Sequence, residues 1–369
     1  MLRGHATTQG TQQFIQRYAR HTSNYAEFDG LYLSNMGMGT YLGNTDDATD
    51  QAVIQAVKDS IRAGVNIFDT AINYRSQKAE RALGRALRIL QESNMVSRDS
   101  VFISTKGGYV TNDADLPLDF WQYVKQQYTD KDIIPKNGIS SQYHCMEVSF
   151  LESQLRSSLR NLDVDCIDLL YIHNLMESQH QDVSREDIMN QLLDIMTWYE
   201  TQRAEGRIRY YGLATWDSFR VDSKNPNHLN LESVLEMAMA VGGSCHGLRF
   251  VQLPYNMYLD QALRTPTQTV GGNSMSFLQA ARLLNVGVFT SVPFMQGKLL
   301  SPGVLPDFGY GKPSISSLQF IRSTPGVLAP LVGHKEPIHV TENLDIMRMP
   351  PLDDSEFDSL LLKLLSGTC

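Results

Sequence analysis

Short apolar runs rich in β-branched and aromatic residues alternate with longer amphipathic segments along most of the chain. Runs of this kind are typical of buried strands, and eight of them occur, at residues 31–39, 65–70, 101–106, 167–173, 208–215, 250–256, 286–293 and 327–333. The segments between them, such as ATDQAVIQAVKDSIRAG (48–64), carry apolar residues at helical spacing, and this one closes on a glycine. Eight strand–helix alternations in one chain predict the α/β class and a (β/α)8 TIM barrel.

A doubly wound parallel sheet is the competing architecture. It would place a GxGxxG turn directly after the first strand. The nearest match, GMGTYLG (37–43), has a different glycine spacing and is not followed by a helix that begins at its last glycine. The barrel is therefore the preferred prediction.

Two segments fall outside the regular alternation. Residues 1–25 are expected to be an N-terminal extension, and residues 26–369 a single barrel domain. The Asp29-Gly30 pair lies between two alternating segments, which predicts a β-hairpin ahead of the barrel. After the third strand, residues 107–147 form an inserted loop that is long for a βα connection, so it is either a functional lid or a locally folded segment.

The composition narrows the possible functions. The 369 residues carry a formal net charge of −8 with no Lys/Arg cluster in the sequence, which argues against sequence-independent nucleic-acid binding. No apolar run approaches the roughly 20 residues that span a bilayer, so no membrane partner is expected. The N-terminus lacks the apolar core of a signal peptide but is basic, which leaves a transit peptide as the alternative to a cytoplasmic location. Four widely spaced cysteines predict neither a disulfide framework nor a metal cage. The oligomeric state stays open.

Titratable side chains lie at or just after the ends of three neighbouring predicted strands. Asp69, Lys106 and His173 are near the ends of the second, third and fourth runs, and Tyr74 follows Asp69 by five residues. Active sites of barrel enzymes form at these carboxyl ends. Each residue also has an ordinary structural interpretation, as a helix cap, a lysine that reaches water or a core histidine.

Together these four groups have the chemistry to donate a proton to a carbonyl oxygen while a hydride reaches the carbon. A free phenol has a pKa of about 10, and a neighbouring ammonium is expected to lower the pKa of Tyr74. Asp69 would keep Lys106 charged and oriented, and His173 would hydrogen-bond the substrate oxygen. The adjacent His144-Cys145 pair is too small a ligand set for a metal, and no metal site is predicted.

Four motifs in order resemble the aldo-keto reductase family, whose members are (β/α)8 enzymes with a nicotinamide cofactor. GMGTY (37–41) resembles its first strand, FDTAINY (68–74) its DTAxxY signature, ISTKGG (103–108) its lysine strand and DLLYIHN (168–174) its histidine strand. The resemblance extends over 31–344. It implies that Asp69, Tyr74, Lys106 and His173 form the catalytic tetrad.

The same resemblance implies NADP as the cofactor, with NAD possible. It assigns to cofactor binding Gly39, Thr40, Thr215, Gln252, Pro293, Phe294, Gln296, Gly297, Gly333, Lys335, His339, Glu342 and Asn343. In this assignment Gln252 and Thr215 hold the nicotinamide carboxamide, SVPFMQGKL (291–299) straps the pyrophosphate, and the Glu342-Asn343 pair contacts adenine. Lys335 is the candidate for a 2′-phosphate contact.

The chain departs from the family pattern at the nicotinamide end. Ala214 stands where a serine usually holds the carboxamide, and Ser291 where an aromatic ring usually stacks. Phe294 or Tyr255 would have to compensate.

The leading prediction is an NAD(P)H-dependent reductase of small-molecule aldehydes or ketones. Tyr41, Tyr109 and Trp216 are predicted to line its substrate pocket. Further candidates from the inserted loop are Trp121, Tyr143 and His144. The alternative is a cofactor-binding sensor or regulatory module with little turnover. A third possibility, a hydrolase or lyase that uses Asp69 and His173, would depend on a metal or act without nicotinamide, and the sequence contains no ligand cluster that supports it.

Overall fold

Eight parallel strands close into a barrel in the computed structural model of the chain, which describes residues 1–305 and 308–366. In chain order the strands are β1 (Tyr25–Phe28), β2 (Leu31–Ser34), β3 (Gly37–Gly39), β4 (Ile67–Asp69), β5 (Phe102–Gly107), β6 (Ile167–His173), β7 (Ile208–Ala214), β8 (Leu248–Pro254), β9 (Gln268–Val270), β10 (Asn273–Met275), β11 (Gly287–Ser291) and β12 (Ala329–Gly333). Strands β3 to β8, β11 and β12 form the barrel, in which β12 pairs with β3. The predicted α/β class and (β/α)8 barrel are confirmed.

Helices surround the barrel and connect its strands. In chain order they are α1 (Thr8–Tyr18), α2 (Asp47–Arg62), α3 (Lys78–Glu92), α4 (Phe120–Gln127), α5 (Val148–Leu162), α6 (Leu175–Gln179), α7 (Arg185–Ala204), α8 (Leu231–Gly242), α9 (Gln261–Arg264), α10 (Phe277–Leu283), α11 (Pro313–Ser323), α12 (Pro337–Leu344) and α13 (Asp354–Ser366). In the described part of the chain, none of them combines the length and the apolar character needed to cross a bilayer.

Helix α2 illustrates how the sequence pattern produces an element. The Asp46 side chain accepts a hydrogen bond from the Thr49 backbone N–H at 2.8 Å, which caps the first turn. Val53, Val57 and Ile61 follow at helical spacing and are buried against the strands. The apolar stripe therefore fixes which face of the helix meets the barrel.

The barrel interior is filled by aromatic side chains. Phe250 stacks on Phe289 with ring centroids 5.5 Å apart, and Phe102 packs against both rings. These residues are fully buried, so this part of the barrel interior is a packed core and has no room for a ligand. A binding site is therefore expected at the rim formed by the carboxyl ends of the strands.

A β-hairpin closes the amino-terminal end of the barrel. β1 and β2 pair antiparallel around the Asp29-Gly30 turn, as predicted. Phe28 packs on Phe250 at 5.0 Å between ring centroids. The run 31–39, which the sequence suggests is one strand, divides into β2 and β3 because the chain leaves the hairpin at Asn35 before entering the barrel.

Residues 1–25 pack on the barrel through specific contacts. The Ala6 backbone N–H donates to Asp168 Oδ1 at 2.6 Å, and Arg98 contacts Asp168 Oδ2 at the same distance. A Cβ at Gly10 would lie 2.1 Å from the Asp99 carbonyl oxygen, so α1 approaches the turn ahead of β5 very closely.

The inserted residues 107–147 contain helix α4 and several buried apolar side chains. Tyr123, Val124, Tyr128 and Ile134 belong to the main hydrophobic core. The insertion also returns to its own beginning, because Tyr109 and His144 form an antiparallel bridge. It therefore packs on the main hydrophobic core and ends next to the fourth barrel strand.

Candidate active site

The parallel barrel brings the ends of its strands to one rim. Asp69 is the last residue of β4, His173 is the last of β6, and Lys106 is the penultimate residue of β5. Asp69 pairs in register with Ser104, so Lys106 lies one step above it on the same inward-facing side of β5. Three neighbouring strands thus present a carboxylate, an ammonium and an imidazole at adjacent positions.

Asp69 and Lys106 form a buried ion pair. Lys106 Nζ lies 2.6 Å from Asp69 Oδ2 and donates to the Thr70 carbonyl at 2.8 Å. The second oxygen, Asp69 Oδ1, accepts hydrogen bonds from Ser104 Oγ at 2.7 Å and from Gln252 Nε2 at 3.0 Å. Each charge therefore has an opposite charge and further hydrogen bonds, which is the condition for burying it.

Tyr74 lies over this ion pair in the loop after β4. Lys106 Nζ is 5.0 Å from the centre of its ring. The ring of Tyr41 approaches it edge-on at 4.9 Å, and the ring of His173 at 6.1 Å. The four side chains of the predicted tetrad thus meet at one place.

Burial dominates the protonation states of these groups. The pKa of Tyr74 is raised well above 10, first by burial and then by the Asp69 charge and the neighbouring phenols. The expected lowering of the pKa of Tyr74 is therefore wrong for the protein alone, because burial and the Asp69 charge both raise it. Burial also lowers the pKa of Lys106, against the attraction of Asp69. The pKa of His173 is lowered well below 6.5 by burial and by Lys106, so its imidazole is neutral at pH 7.

The inserted segment supports His173 from behind. His144 is completely buried; its Nε2 lies 2.8 Å from the His173 carbonyl oxygen, and its Nδ1 lies 2.8 Å from Gln179 Nε2. A carbonyl accepts and an amide nitrogen donates, so the neutral Nε2–H form satisfies both contacts. Burial lowers the pKa of His144 to about 4, in agreement with that form. His144 is thus a structural contact of His173 and does not face the pocket.

The predicted pocket residues have different environments. Tyr41 is 55% exposed and Trp216 is 47% exposed. Tyr109 is packed edge-on between His144 and His173, at 5.2 and 5.0 Å, and its hydroxyl accepts hydrogen bonds from Asn174 Nδ2 and Ser178 Oγ. Tyr109 therefore offers an apolar ring beside His173, while its hydroxyl is already engaged.

Gln252 and Thr215 lie on adjacent strands beside the ion pair. Thr215 follows β7, and its backbone N–H donates to the Gln252 carbonyl at 2.8 Å. Thr215 Oγ1 is buried, and among the described residues it has no hydrogen-bond partner; the same is true of His173 Nδ1. An unpartnered buried polar atom at a functional rim is the expected state of a group whose partner is a ligand.

The departures from the family pattern are not compensated by Tyr255. Its ring is fully buried and stacks on Phe320, and its hydroxyl contacts Thr324 Oγ1 at 3.0 Å. The suggestion that Tyr255 replaces the missing aromatic at Ser291 is therefore wrong, because the side chain points into the core. Phe294 is partly buried against the same core.

The loop after β11 has an unusual backbone. Val292, Met295, Gln296 and Gly297 all have positive φ, between 46° and 89°. Non-glycine residues adopt this conformation at a cost of about 1 kcal/mol each, and such strain clusters at ligand-binding segments. Helix α11 holds Pro293 in position, because the Pro293 carbonyl accepts a hydrogen bond from Ser317 Oγ at 2.9 Å.

The closing segment after β12 begins a helix at Pro337, and proline suits the first turn because it has no backbone N–H to leave unpaired there. Gly333 and His339 are exposed, Lys335 is partly buried and Asn343 is buried. Glu342 accepts a hydrogen bond from Ser314 Oγ and lies 3.7 Å from Lys312 Nζ. The two side chains of the predicted Glu342-Asn343 pair thus have different environments. Glu342 is partly exposed and contacts the start of α11, whereas Asn343 is buried.

Two residues at the rim, Glu177 and Arg75, were not predicted as functional from the sequence. Glu177 Oε1 accepts from the backbone N–H groups of residues 216–218 and from Ser218 Oγ, and so holds the loop after β7. Arg75 follows Tyr74 directly and is buried; its Nη2 lies 2.5 Å from Asp50 Oδ1, and its Nε donates to the Asn44 carbonyl. Both act on neighbouring loops, which only folding brings close to them.

The backbone after Tyr74 is also strained. Arg75, Ser76 and Gln77 have φ of 51°, 50° and 75°. Three successive non-glycine residues in the left-handed region are rare, and these three turn the chain from the rim into α3.

Comparison with known proteins gives consistent matches. A model of the aldo/keto reductase family matches residues 35–301. Aldo-keto reductase AMT2 of Alternaria alternata is 28% identical over 200 residues, 50% of this chain and 47% of that protein. A probable voltage-gated potassium channel subunit beta of Oryza sativa subsp. japonica is 32% identical over 150 residues, 39% of this chain and 34% of that protein. The chain thus spans half or less of the length of these curated relatives.

A solved structure extends the likeness across the whole fold. The crystal structure of an aldo-keto reductase from Klebsiella pneumoniae in complex with NADPH has a TM-score of 0.56 to this chain, with 18% identity over 93% of each chain. At this identity the likeness is one of fold.

Proposed function

The chain belongs to the aldo/keto reductase family, and from this premise we propose that it is an NAD(P)H-dependent oxidoreductase that reduces an aldehyde or ketone to an alcohol. The observation that carries the proposal is the convergence of Tyr74, His173 and the buried Asp69–Lys106 pair at the barrel rim. A phenol, a neutral imidazole and a fixed ammonium are the groups that protonate a carbonyl oxygen.

A nicotinamide cofactor fits the residues present. Thr215 Oγ1 and His173 Nδ1 are buried, with no partner among the described residues. The loop 292–297 follows β11 at the same rim, and its left-handed backbone is of the kind that clusters at ligand-binding segments. When bound there, the cofactor would supply the hydride. Thr215, Gln252 and the loop 292–297 would hold it, together with Gly39, Thr40 and the segment 333–343.

In the proposed reaction Tyr74 donates its proton to the carbonyl oxygen. The raised pKa keeps the phenol protonated throughout the physiological range. The Lys106 ammonium, 5.0 Å from the ring centre, stabilises the phenolate as it forms, and Asp69 keeps that ammonium in place. The neutral His173 orients the carbonyl at the same site. Tyr41, Tyr109 and Trp216 would border the substrate.

Replacing the phenol tests the assignment. Tyr74→Phe should reduce turnover of NADPH with aldehydes at least 100-fold and leave NADPH binding, followed by nicotinamide fluorescence, within about threefold. Tyr199→Phe is the matched control, because it removes a buried phenol that stands on α7. Undiminished turnover in Tyr74→Phe would refute the role of Tyr74.

A preference for NADP is proposed on the basis of Lys335, the cation at the start of the closing segment. Lys335→Ala should weaken NADPH binding about tenfold and leave NADH binding unchanged, since only NADPH carries the 2′-phosphate. Lys136→Ala, an exposed lysine in the inserted segment, is the control for general charge. Equal losses for both cofactors would contradict the preference.

A cofactor-binding module with little turnover is the second candidate. Ala214 carries no polar side-chain group, and Tyr255 lies in the core, so the nicotinamide contacts are fewer than the family pattern provides. The match to the rice protein whose name is probable potassium channel subunit beta favours the same candidate. Tight NADPH binding without oxidation across a panel of aldehydes would support this candidate over a reductase.

A further inference from the structure

Four arginines surround a cavity on the outside of the barrel. The cavity has a volume of about 430 Å³ and is lined by Arg81, Arg85, Arg88, Arg160 and Asn161. The first three lie on α3 at positions i, i+4 and i+7, which share one helix face, and Arg160 lies in the last turn of α5. Such a concentration of positive charge is unexpected in a chain of net charge −8.

The close packing of α3 and α5 creates this arrangement. A Cβ at Gly84 would lie 2.6 Å from the Leu162 carbonyl oxygen, so the two helices touch backbone to backbone at that point. Hydrogen bonds also hold Asn161, which lines the cavity, in position. Asn161 Nδ2 donates to Gln77 Oε1 and Glu80 Oε2, while its Oδ1 accepts from Arg81 Nε.

Two of the four guanidinium groups are already paired. Arg81 contacts Asp113 Oδ2 at 2.6 Å and also Asp115, and Arg88 contacts Asp163 Oδ2 at 2.8 Å. Among the described residues Arg85 has no hydrogen-bond or ion-pair partner, and the only hydrogen bond of the Arg160 side chain is to Ser157 Oγ at 3.3 Å. Among the described residues, the cavity therefore presents two guanidinium groups that form no ion pair beside two others that are fixed in position, and the Arg160 charge also acts on Asp113.

We propose that this cavity binds the phosphate group of a small phosphorylated molecule. A guanidinium donates two parallel N–H groups to a tetrahedral oxyanion, and two unpaired guanidinium groups match the charge of a phosphate dianion. The five lining residues belong to α3 and α5 and to none of the strand-end loops, so the site is separate from the proposed cofactor site.

Calorimetric titration at constant ionic strength tests the proposal, with inorganic phosphate and glycerol 3-phosphate as probes. Each is titrated with and without saturating NADP⁺, so that phosphate contacts at the cofactor site are identified. We expect saturable binding of one equivalent at this cavity, with glycerol 3-phosphate tighter than phosphate if the cavity accepts an organic ester. Equal affinities would indicate a site for the free anion.

Variants locate the binding. The double variant Arg85→Gln with Arg160→Gln should weaken binding at least tenfold. The circular dichroism spectrum should be unchanged, because both side chains are exposed and form no ion pair with the residues that the structure describes. Arg156→Gln is the matched control, since it removes an exposed arginine one turn earlier on α5. Equal binding by the double variant, an equal loss in the control, or the absence of saturable binding would each overturn the proposal. If the wild-type protein does not bind NADP⁺ but phosphate binding is lost in the double variant and not in the control, the proposed function is contradicted and the phosphate site is still supported.

Discussion

The buried pair Asp69–Lys106 permits a quantitative prediction. Its atoms lie 2.6 Å apart, and both residues are at most 4% exposed. At an effective dielectric constant of 20, the gross attraction at this distance is roughly 6 kcal/mol. Desolvation of both charges offsets much of it, so the net contribution of the pair is smaller than the attraction. Removing only one partner is costly because the other charge stays buried.

The perturbation is a double-mutant cycle. Lys106→Met and Asp69→Asn should each lower the free energy of unfolding by about 3–5 kcal/mol. In the first variant Asp69 keeps only the donors Ser104 and Gln252, and in the second Lys106 keeps mainly the Thr70 carbonyl. The double variant should lose less than the sum, with a coupling energy of about 2–4 kcal/mol.

Urea unfolding followed by tryptophan fluorescence and circular dichroism measures the four free energies. The exposed pair Arg62–Asp59, at 3.1 Å on α2, is the control, and its coupling should stay at or below about 1 kcal/mol. Additive costs at Asp69 and Lys106 within about 0.5 kcal/mol would refute the view that each charge is tolerated only because of the other.

Two further predictions concern buried groups outside the ion pair. Burial lowers the pKa of His144 to about 4, so below pH 6.5 the unfolded chain binds a proton at this residue and the folded chain does not, and the free energy of unfolding decreases as the pH is lowered, by about 2 kcal/mol between pH 6.5 and 5. In urea unfolding, His144→Gln should lose correspondingly less stability over this range. Parallel pH profiles of the two proteins would contradict the prediction. Gly84→Ala should lower the free energy of unfolding by more than about 2 kcal/mol despite the better helix propensity of alanine, because the new Cβ would lie 2.6 Å from the Leu162 carbonyl oxygen. The control Gly206→Ala, at φ 73° with no atom close to the new Cβ, should lower it by only about 1 kcal/mol. Similar shifts in the melting temperatures of the two variants would show that α3 can move away from α5.

Much of the architecture is already contained in local patterns. Alternating apolar runs predict a barrel because strand and helix periodicities depend on near neighbours in the chain. Asp69, Lys106 and His173 could be recognised as a group because parallel strands must present their carboxyl ends at one rim. The hairpin at Asp29-Gly30 follows from turn chemistry, and it is present in the structure.

The division of residues 31–39 between the hairpin and the barrel could not be predicted in this way. Both parts have the same apolar composition, and the change of direction at Asn35 depends on what each part packs against. The core position of Tyr255 is a similar case, since its stacking partner Phe320 is distant in the sequence.

The sequence by itself determined the element order, the barrel class and the residue types at the strand ends, because these depend on periodicity and on the parallel course of the strands. Only the tertiary structure decided the protonation of those residues. Whether Lys106 lowers the pKa of Tyr74 depends on how much water reaches the phenol, and burial reverses the expected direction. Likewise the arginines of α3 and Arg160 become one cavity only where Gly84 lets two helices touch. Charge and solvation depend on distances in space, and residues far apart in the chain set them.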